Sequence, residues 1–155
     1  MKTLEEIKQD IESKFQGTQI TIEGTSLIVP KERWFQIAKV FKEDPQYALD
    51  YLSSVAGVDY KEYLEAVYHL YSIEKKEGPL TVKVRTDVEK SLMPSVTPIW
   101  RSAEFQEREA YDLFGIHFEG HPDLRRILMW EGFEYYPMRK NYVPENQDRT
   151  DFPLK

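Results

Sequence analysis

Leu4, Ile7, Ile11 and Phe15 recur at helical spacing behind Thr3, which forms a capping-box pattern with Glu6, and the run stops at Gly17. This predicts a first amphipathic helix. Ile20 and Ile22 then alternate with polar residues, Glu23-Gly24-Thr25-Ser26 reads as a turn, and Leu27-Ile28-Val29 follows up to Pro30, the pattern of a hairpin. Trp34, Ile37, Ala38 and Phe41 make a second helical stripe, which ends at Asp44 because the residue before Pro45 is pushed out of the helical region. Residues 47–60 carry no single period. Tyr63 to Ile73 is rich in aromatic and β-branched residues, Lys75 to Pro79 reads as a turn, and Leu80 to Arg85 alternates, so two or three further strands are expected.

Farther on, Thr97 followed by Pro98 predicts a helix start and Gly115 its stop. At four-residue spacing Glu104, Arg108 and Asp112 stack on one face of that helix as an acid-base-acid ladder. Left in solvent, such a ladder is worth about 0.3 to 0.5 kcal/mol per pair. After residue 120 the periodicity fades. The stretch 121–155 holds four prolines and charges of both signs, yet also Trp130, Phe133, Tyr135, Tyr136, Tyr142 and Phe152, too many aromatics for a solvated linker. The division expected is a globular part over 1–120 and an extended C-terminal segment over 121–155; folding back on its own domain is the plainer alternative, and packing on partner subunits is the expectation.

Composition narrows the function. With 155 residues, 41% hydrophobic and 31% charged, the chain can bury a core without a disulfide or metal staple. It contains no cysteine, so it cannot hold a thiolate-bound iron-sulfur cluster or act through a thiol. A reducing, cytosolic-type compartment is the simplest expectation, and the charged start lacks the apolar stretch of a signal peptide. The net charge of -6 disfavours nucleic acid as a partner, and no run approaches the roughly 20 apolar residues of a spanning helix.

Four blocks carry an identity. PSVTPIW (94–100), EREAYDLFGI (107–116), GHPDLRRIL (120–128) and YPMRKNY (136–142) occur in the order and at the approximate spacing found in the family of the C-type, or thirty-kilodalton, subunit of respiratory complex I, which this chain resembles. The resemblance implies a two-layer α+β domain of helix, two strands, helix and three strands in a mixed sheet, then a further helix and an extended C-terminal tail. It also implies a non-catalytic scaffold of the peripheral arm of a proton-translocating NADH:quinone oxidoreductase, on the cytoplasmic face of a bacterial or archaeal inner membrane. FMN and iron-sulfur clusters would then sit in partner subunits, the D-type subunit and the cluster-bearing subunits would be its neighbours, and membrane contact would come only through the complex. Interface or structural roles fall on Glu107, Arg108, Glu109, Tyr111, Asp112, Gly115, His121, Pro122, Arg125, Arg126, Pro137, Arg139 and Lys140. The chain departs from the family at 135–141, where YYPMRKN stands for a pattern close to GHPLRKD, and at Trp130, where proline is common.

The residues themselves suggest little catalysis. His117 and His121 are four apart, but Gly115, Gly120 and Pro122 interrupt any helix that would aim both at a metal. Glu107 and Glu109 point about 200° apart on a helix and cannot share a substrate. No phosphate loop, GxGxxG or GxSxG occurs. The rivals that remain are the equivalent subunit of a membrane-bound hydrogenase or ferredoxin-fed complex, a stand-alone adaptor, and a metal enzyme built on the two histidines. Arg108, Arg125, Arg126 and Arg139 are expected to lock an interface or core, since guanidinium groups fork onto oxygen acceptors and stay charged when buried.

Overall fold

In the computed structural model, which describes residues 2–144, Thr3 Oγ1 accepts the Glu6 N–H at 3.3 Å and Glu6 Oε2 accepts the Thr3 N–H at 2.8 Å. This reciprocal cap starts helix α1 (Leu4–Lys14), whose Ile7 and Ile11 are buried. Strands β1 (Thr21–Glu23) and β2 (Ser26–Val29) form the hairpin expected around Gly24, and Pro30 leads into α2 (Lys31–Glu43) with Trp34, Ile37, Ala38 and Phe41 on its buried face. Three long strands follow: β3 (Tyr51–Asp59), β4 (Tyr63–Ser72) and β5 (Glu77–Asp87).

The five strands make one mixed sheet in the order β1-β2-β5-β4-β3, in which only β2 and β5 run parallel. Alternate residues of each strand, among them Leu27, Val29, Leu64, Tyr68, Leu70, Leu80, Val82 and Val84, join the helix stripes in one core. Burying each such side chain contributes about 1.5 to 3 kcal/mol. The fold is therefore the α+β arrangement anticipated, with two differences. The turn expected at Lys75 to Pro79 lies earlier, at 73–76, where Lys76 takes a positive φ and Ser72 Oγ accepts the Lys75 N–H, so Gly78 and Pro79 belong to β5. The other addition is a small parallel pair, β6 (Leu92–Pro94) with β7 (His117–Glu119), which brackets helix α3 (Ala103–Phe114).

Helix α3 lies along β3, the edge strand. Gln106 Oε1 accepts the outward Val55 N–H at 2.7 Å, and Ser102 Oγ donates to the Leu52 carbonyl at 2.9 Å. Strand edges left open pair with other chains, and here a helix closes one. The approach is tight: a Cβ on Gly57 would stand 2.5 Å from the Phe114 ring.

Candidate functional site

Helix α3 carries three buried charged residues within six positions, Glu107 and Asp112 at 0% exposure and Arg108 at 7%. Charges are seldom buried without partners. These three fasten the loop before the helix and the segment after it.

Glu107 holds the loop before the helix. Its Oε2 accepts from Ser95 Oγ at 2.5 Å and Thr97 Oγ1 at 3.1 Å, while Oε1 accepts the Val96 N–H at 2.8 Å. Burial pushes its carboxyl above the usual value, against the pull of those three donors. This also explains why Thr97 and Pro98 do not start the helix as expected. The Thr97 hydroxyl is spent on Glu107, residues 96–100 form a separate turn, and α3 begins at Ala103.

Arg108 and Asp112 hold the segment that follows. Arg108 donates from Nε to the Arg125 carbonyl and from Nη2 to the Arg126 carbonyl, both at 3.1 Å. Asp112 Oδ2 accepts three successive backbone N–H groups, from Ile127, Leu128 and Met129 at 3.1, 2.6 and 2.8 Å, and Oδ1 accepts from Arg126 Nη1 at 2.6 Å. Burial alone would raise the Asp112 carboxyl; the Met129 amide, Arg126 and the other two amides outweigh it and hold the group below its ordinary range. The ladder expected of Glu104, Arg108 and Asp112 is thus not a ladder. Arg108 and Asp112 bind backbone of a later segment in place of each other, and Glu104 offers its carbonyl to His121.

The segment is fastened again farther along. Arg126 Nη2 donates to the Tyr135 carbonyl, and its guanidinium stands over the Phe133 and Tyr136 rings at 5.5 and 5.4 Å. Arg139 donates from Nε to the Phe114 carbonyl at 2.6 Å and covers the Tyr136 ring at 4.8 Å. The Lys140 N–H reaches Asp59 Oδ2 at 2.7 Å. Gly115 ends α3 in the left-handed region at φ 72°, and a Cβ there would lie 2.5 Å from Tyr136. Tyr111 meets the rings of His117 and Tyr136 edge-on.

The remaining expected residues divide. His121 Nδ1 accepts the Asp123 N–H at 3.0 Å, so its Nε2 carries the hydrogen donated to the Glu104 carbonyl at 2.9 Å; both nitrogens are committed to backbone. His117 sits on β7, not on a helix with it. No group of three metal-ligating side chains occurs among the described residues. Glu109 and Pro122 are exposed, and Pro137 is half-buried beside Tyr136 in the chain. Arg125 does not lock the core: its side chain is exposed and pairs with Asp123 at 2.8 Å, while its carbonyl serves Arg108. Residues 145–155 of the expected C-terminal segment, Phe152 included, lie outside the described residues.

The outer surface of the hooked segment mixes apolar and aromatic side chains with exposed Arg125, Glu131, Glu134 and Lys140. Leu128, Trp130, Tyr135 and Met138 are each more than half exposed, as is Phe105 of α3, whose ring faces the Arg108 guanidinium. The rings of Trp130 and Phe133 meet at 4.7 Å, and Tyr142 lies about equally far from Phe133 and Tyr135, at 6.2 and 6.0 Å.

A family model described as "Respiratory-chain NADH dehydrogenase, 30 Kd subunit" matches residues 27–148. The chain belongs to that family. As a member of the 30-kilodalton family it is 49% identical over 130 residues to a C-type subunit of NADH-quinone oxidoreductase, the one numbered 2, of Rhizobium meliloti (strain 1021), covering 82% of this chain and 65% of the relative. It is 33% identical over 158 residues to the C/D subunit of NADH-quinone oxidoreductase of Sulfurihydrogenibium sp. (strain YO3AOP1), covering 97% of this chain and 27% of that one. A chain in the structure of the membrane-bound sulfane sulfur reductase, an archaeal respiratory membrane complex, superposes with a TM-score of 0.65 at 27% identity, covering 90% of this chain and 85% of that chain. The first curated relatives are longer than this member of the 30-kilodalton family, which spans less than two thirds of their length. No helix among its described residues is long and apolar enough to cross a membrane.

Two features of the site escaped the sequence reading. Gln106 and Ser102 seal the β3 edge, and nothing in local spacing marks an edge. Asp59 receives the Lys140 amide from 81 residues away, a contact that only the folded chain creates.

Proposed function

We propose that this chain is a non-catalytic scaffold subunit in the peripheral arm of a proton-translocating NADH:quinone oxidoreductase, at the cytoplasmic face of a bacterial or archaeal inner membrane. The FMN and iron-sulfur clusters that pass electrons from NADH to quinone reside in its partners. The observation that carries this reading is the hooked C-terminal segment. Two of the three buried charges of α3 are spent on holding 125–129 in place, and the surface so presented is aromatic and exposed. Electron transfer between neighbours depends on fixed spacing, which rigid packing around a site supplies. The D-type subunit is the partner assigned to this surface, a reading supported by a relative whose name joins C and D.

A central cluster of aromatic anchors carries most of the energy in many interfaces. Leu128→Asp with Trp130→Ala changes only exposed side chains, so the variant keeps its fold by circular dichroism. The expected result is loss of co-purification with the D-type subunit and of quinone reductase activity in membranes. Normal assembly of this double variant overturns the reading.

A second reading keeps the scaffold role within a related membrane complex with another electron donor, such as a hydrogenase or a ferredoxin-fed enzyme. The likeness to the chain of the sulfane sulfur reductase complex favours it. Identifying the subunits that co-purify decides between the two: an FMN-bearing NADH-oxidising module supports the first, its absence from an active complex the second.

A further inference from the structure

The five-stranded sheet has a second face. The register places Ser54, Ala56 and Val58 of β3, Tyr63, Glu65, Val67, His69 and Tyr71 of β4, and Lys83 and Arg85 of β5 opposite the core residues of the same strands. Helices α1 and α2 pack on the core side and α3 follows the edge, so no helix of the described chain covers this face.

Its charges cancel internally. Arg85 donates from Nε to Glu65 Oε2 at 2.7 Å and from Nη2 to Glu23 Oε2 at 2.6 Å, and Lys83 Nζ lies 3.4 Å from Glu23 Oε1 and 3.8 Å from Glu65 Oε1. The four residues close a ring of two acids and two bases with no net charge. Glu65 is fully buried although it stands on the uncovered face, so its dehydration has already taken place within the chain. Next along the strands, Ser54 Oγ and His69 Nδ1 bond each other at 2.8 Å, and between ring and pair lie Ala56, Val58 and Val67. Tyr63, stacked against Arg85 at 4.6 Å, closes one end, and Tyr71 with Tyr51 closes the other.

We propose that this face is a second docking surface, occupied by one uncharged, helix-sized segment of a neighbouring subunit. The chemistry selects that occupant. A charged segment would have to open a ring already neutral, whereas an apolar one covers Glu65, which is already dry, and Lys83 and Arg85, which are mostly covered, and leaves half-exposed Glu23 on β1 outside the three-strand panel. The size agrees, because three strands about 4.8 Å apart over about seven residues give a panel of roughly 15 by 23 Å, the footprint of a single helix. The proposal rests on the reading of the chain as a subunit of a larger complex.

The chain has no cysteine, so each introduced thiol is the only one in it. Ala56→Cys reports on the sheet face, Val58→Cys repeats the measurement beside it, and Leu128→Cys reports on the C-terminal surface. Each variant is treated with a maleimide as the isolated full chain and within the purified complex. The expected result is rapid labelling at all three positions in the isolated chain and labelling at least tenfold slower in the complex. A benzophenone maleimide on the Ala56→Cys thiol should then cross-link to an uncharged helical peptide of another subunit. Protection of the Leu128→Cys thiol alone overturns this proposal and leaves the C-terminal contact standing, while reactivity of all three in the complex overturns both. A cross-linked peptide rich in charge overturns it, as does protection in the isolated chain that rises with concentration, which would identify a second copy as the occupant.

Discussion

Asp112 Oδ2 accepts the N–H of Met129 at 2.8 Å across 17 residues of chain, and the same oxygen takes the two amides before it. A side chain buried in α3 thereby sets the path of a segment with no helix or strand of its own. Removing it leaves three amides without their acceptor and Arg126 with only the backbone carbonyls of Asp112 and Tyr135. Breaking a buried pair in this way costs about 3 to 5 kcal/mol. Asp112→Ala should therefore lower stability by that amount in urea unfolding, Arg126→Ala by somewhat less, and the double-mutant cycle should show coupling well above the few tenths expected of an exposed pair.

The two buried acids of α3 should oppose each other in their pH dependence. Asp112, held below its ordinary value of 3.8, contributes stability that is present above that value and is lost as pH falls through the lower folded pKa. Glu107, pushed above 4.5, contributes stability that is present below that value and is lost as pH rises through the higher folded pKa. Asp112→Asn should accordingly flatten the acid side of the stability profile, and Glu107→Gln should remove a loss seen as pH is raised from 4.5 toward neutrality. Chemical denaturation at intervals of pH tests both signs.

Gly115 is required twice over, for its φ of 72° and for the space that Tyr136 occupies. Gly115→Ala should cost about 1 to 2 kcal/mol from the backbone alone. Displacement of Tyr136 should add to this by loosening Arg139 and Arg126. Limited proteolysis should then cleave the variant faster between 120 and 144, with the sheet left resistant.

Gln106→Ala should leave the Val55 amide without its acceptor, at a cost of about 1 kcal/mol by thermal melting. The larger effect expected is a rise in concentration-dependent self-association, since the edge of β3 becomes open to pairing. Unchanged light scattering after heating would count against that role for α3.

What the sequence disclosed was set by how local each determinant is. Thr3 and Glu6, the stripe from Trp34 to Phe41, and the stop at Gly115 act within a few residues of themselves, and all three were readable. Residues 47–60 were ambiguous because β3 serves two packings at once, with Leu52 and Val55 turned to the core while Gly57 leaves room for Phe114. Helical spacing brought Glu104, Arg108 and Asp112 to one stripe, but spacing says nothing of partners farther along. Their true partners belong to residues 121–129, which reach the helix only after the chain has turned at Gly115 and passed through β7.

Helix α3 lies along β3 on the long side of the sheet, with Gln106 taking the Val55 amide and Ser102 the Leu52 carbonyl. A neighbour adding a strand there, a mode of attachment that depends on backbone and tolerates nearly any side chain, would first have to displace the helix. Short of that, it must recognise surfaces made of particular side chains. Attachment then becomes a property that single substitutions can tune, so that one sheet architecture can serve complexes with different neighbours without a change in its hydrogen-bonded frame.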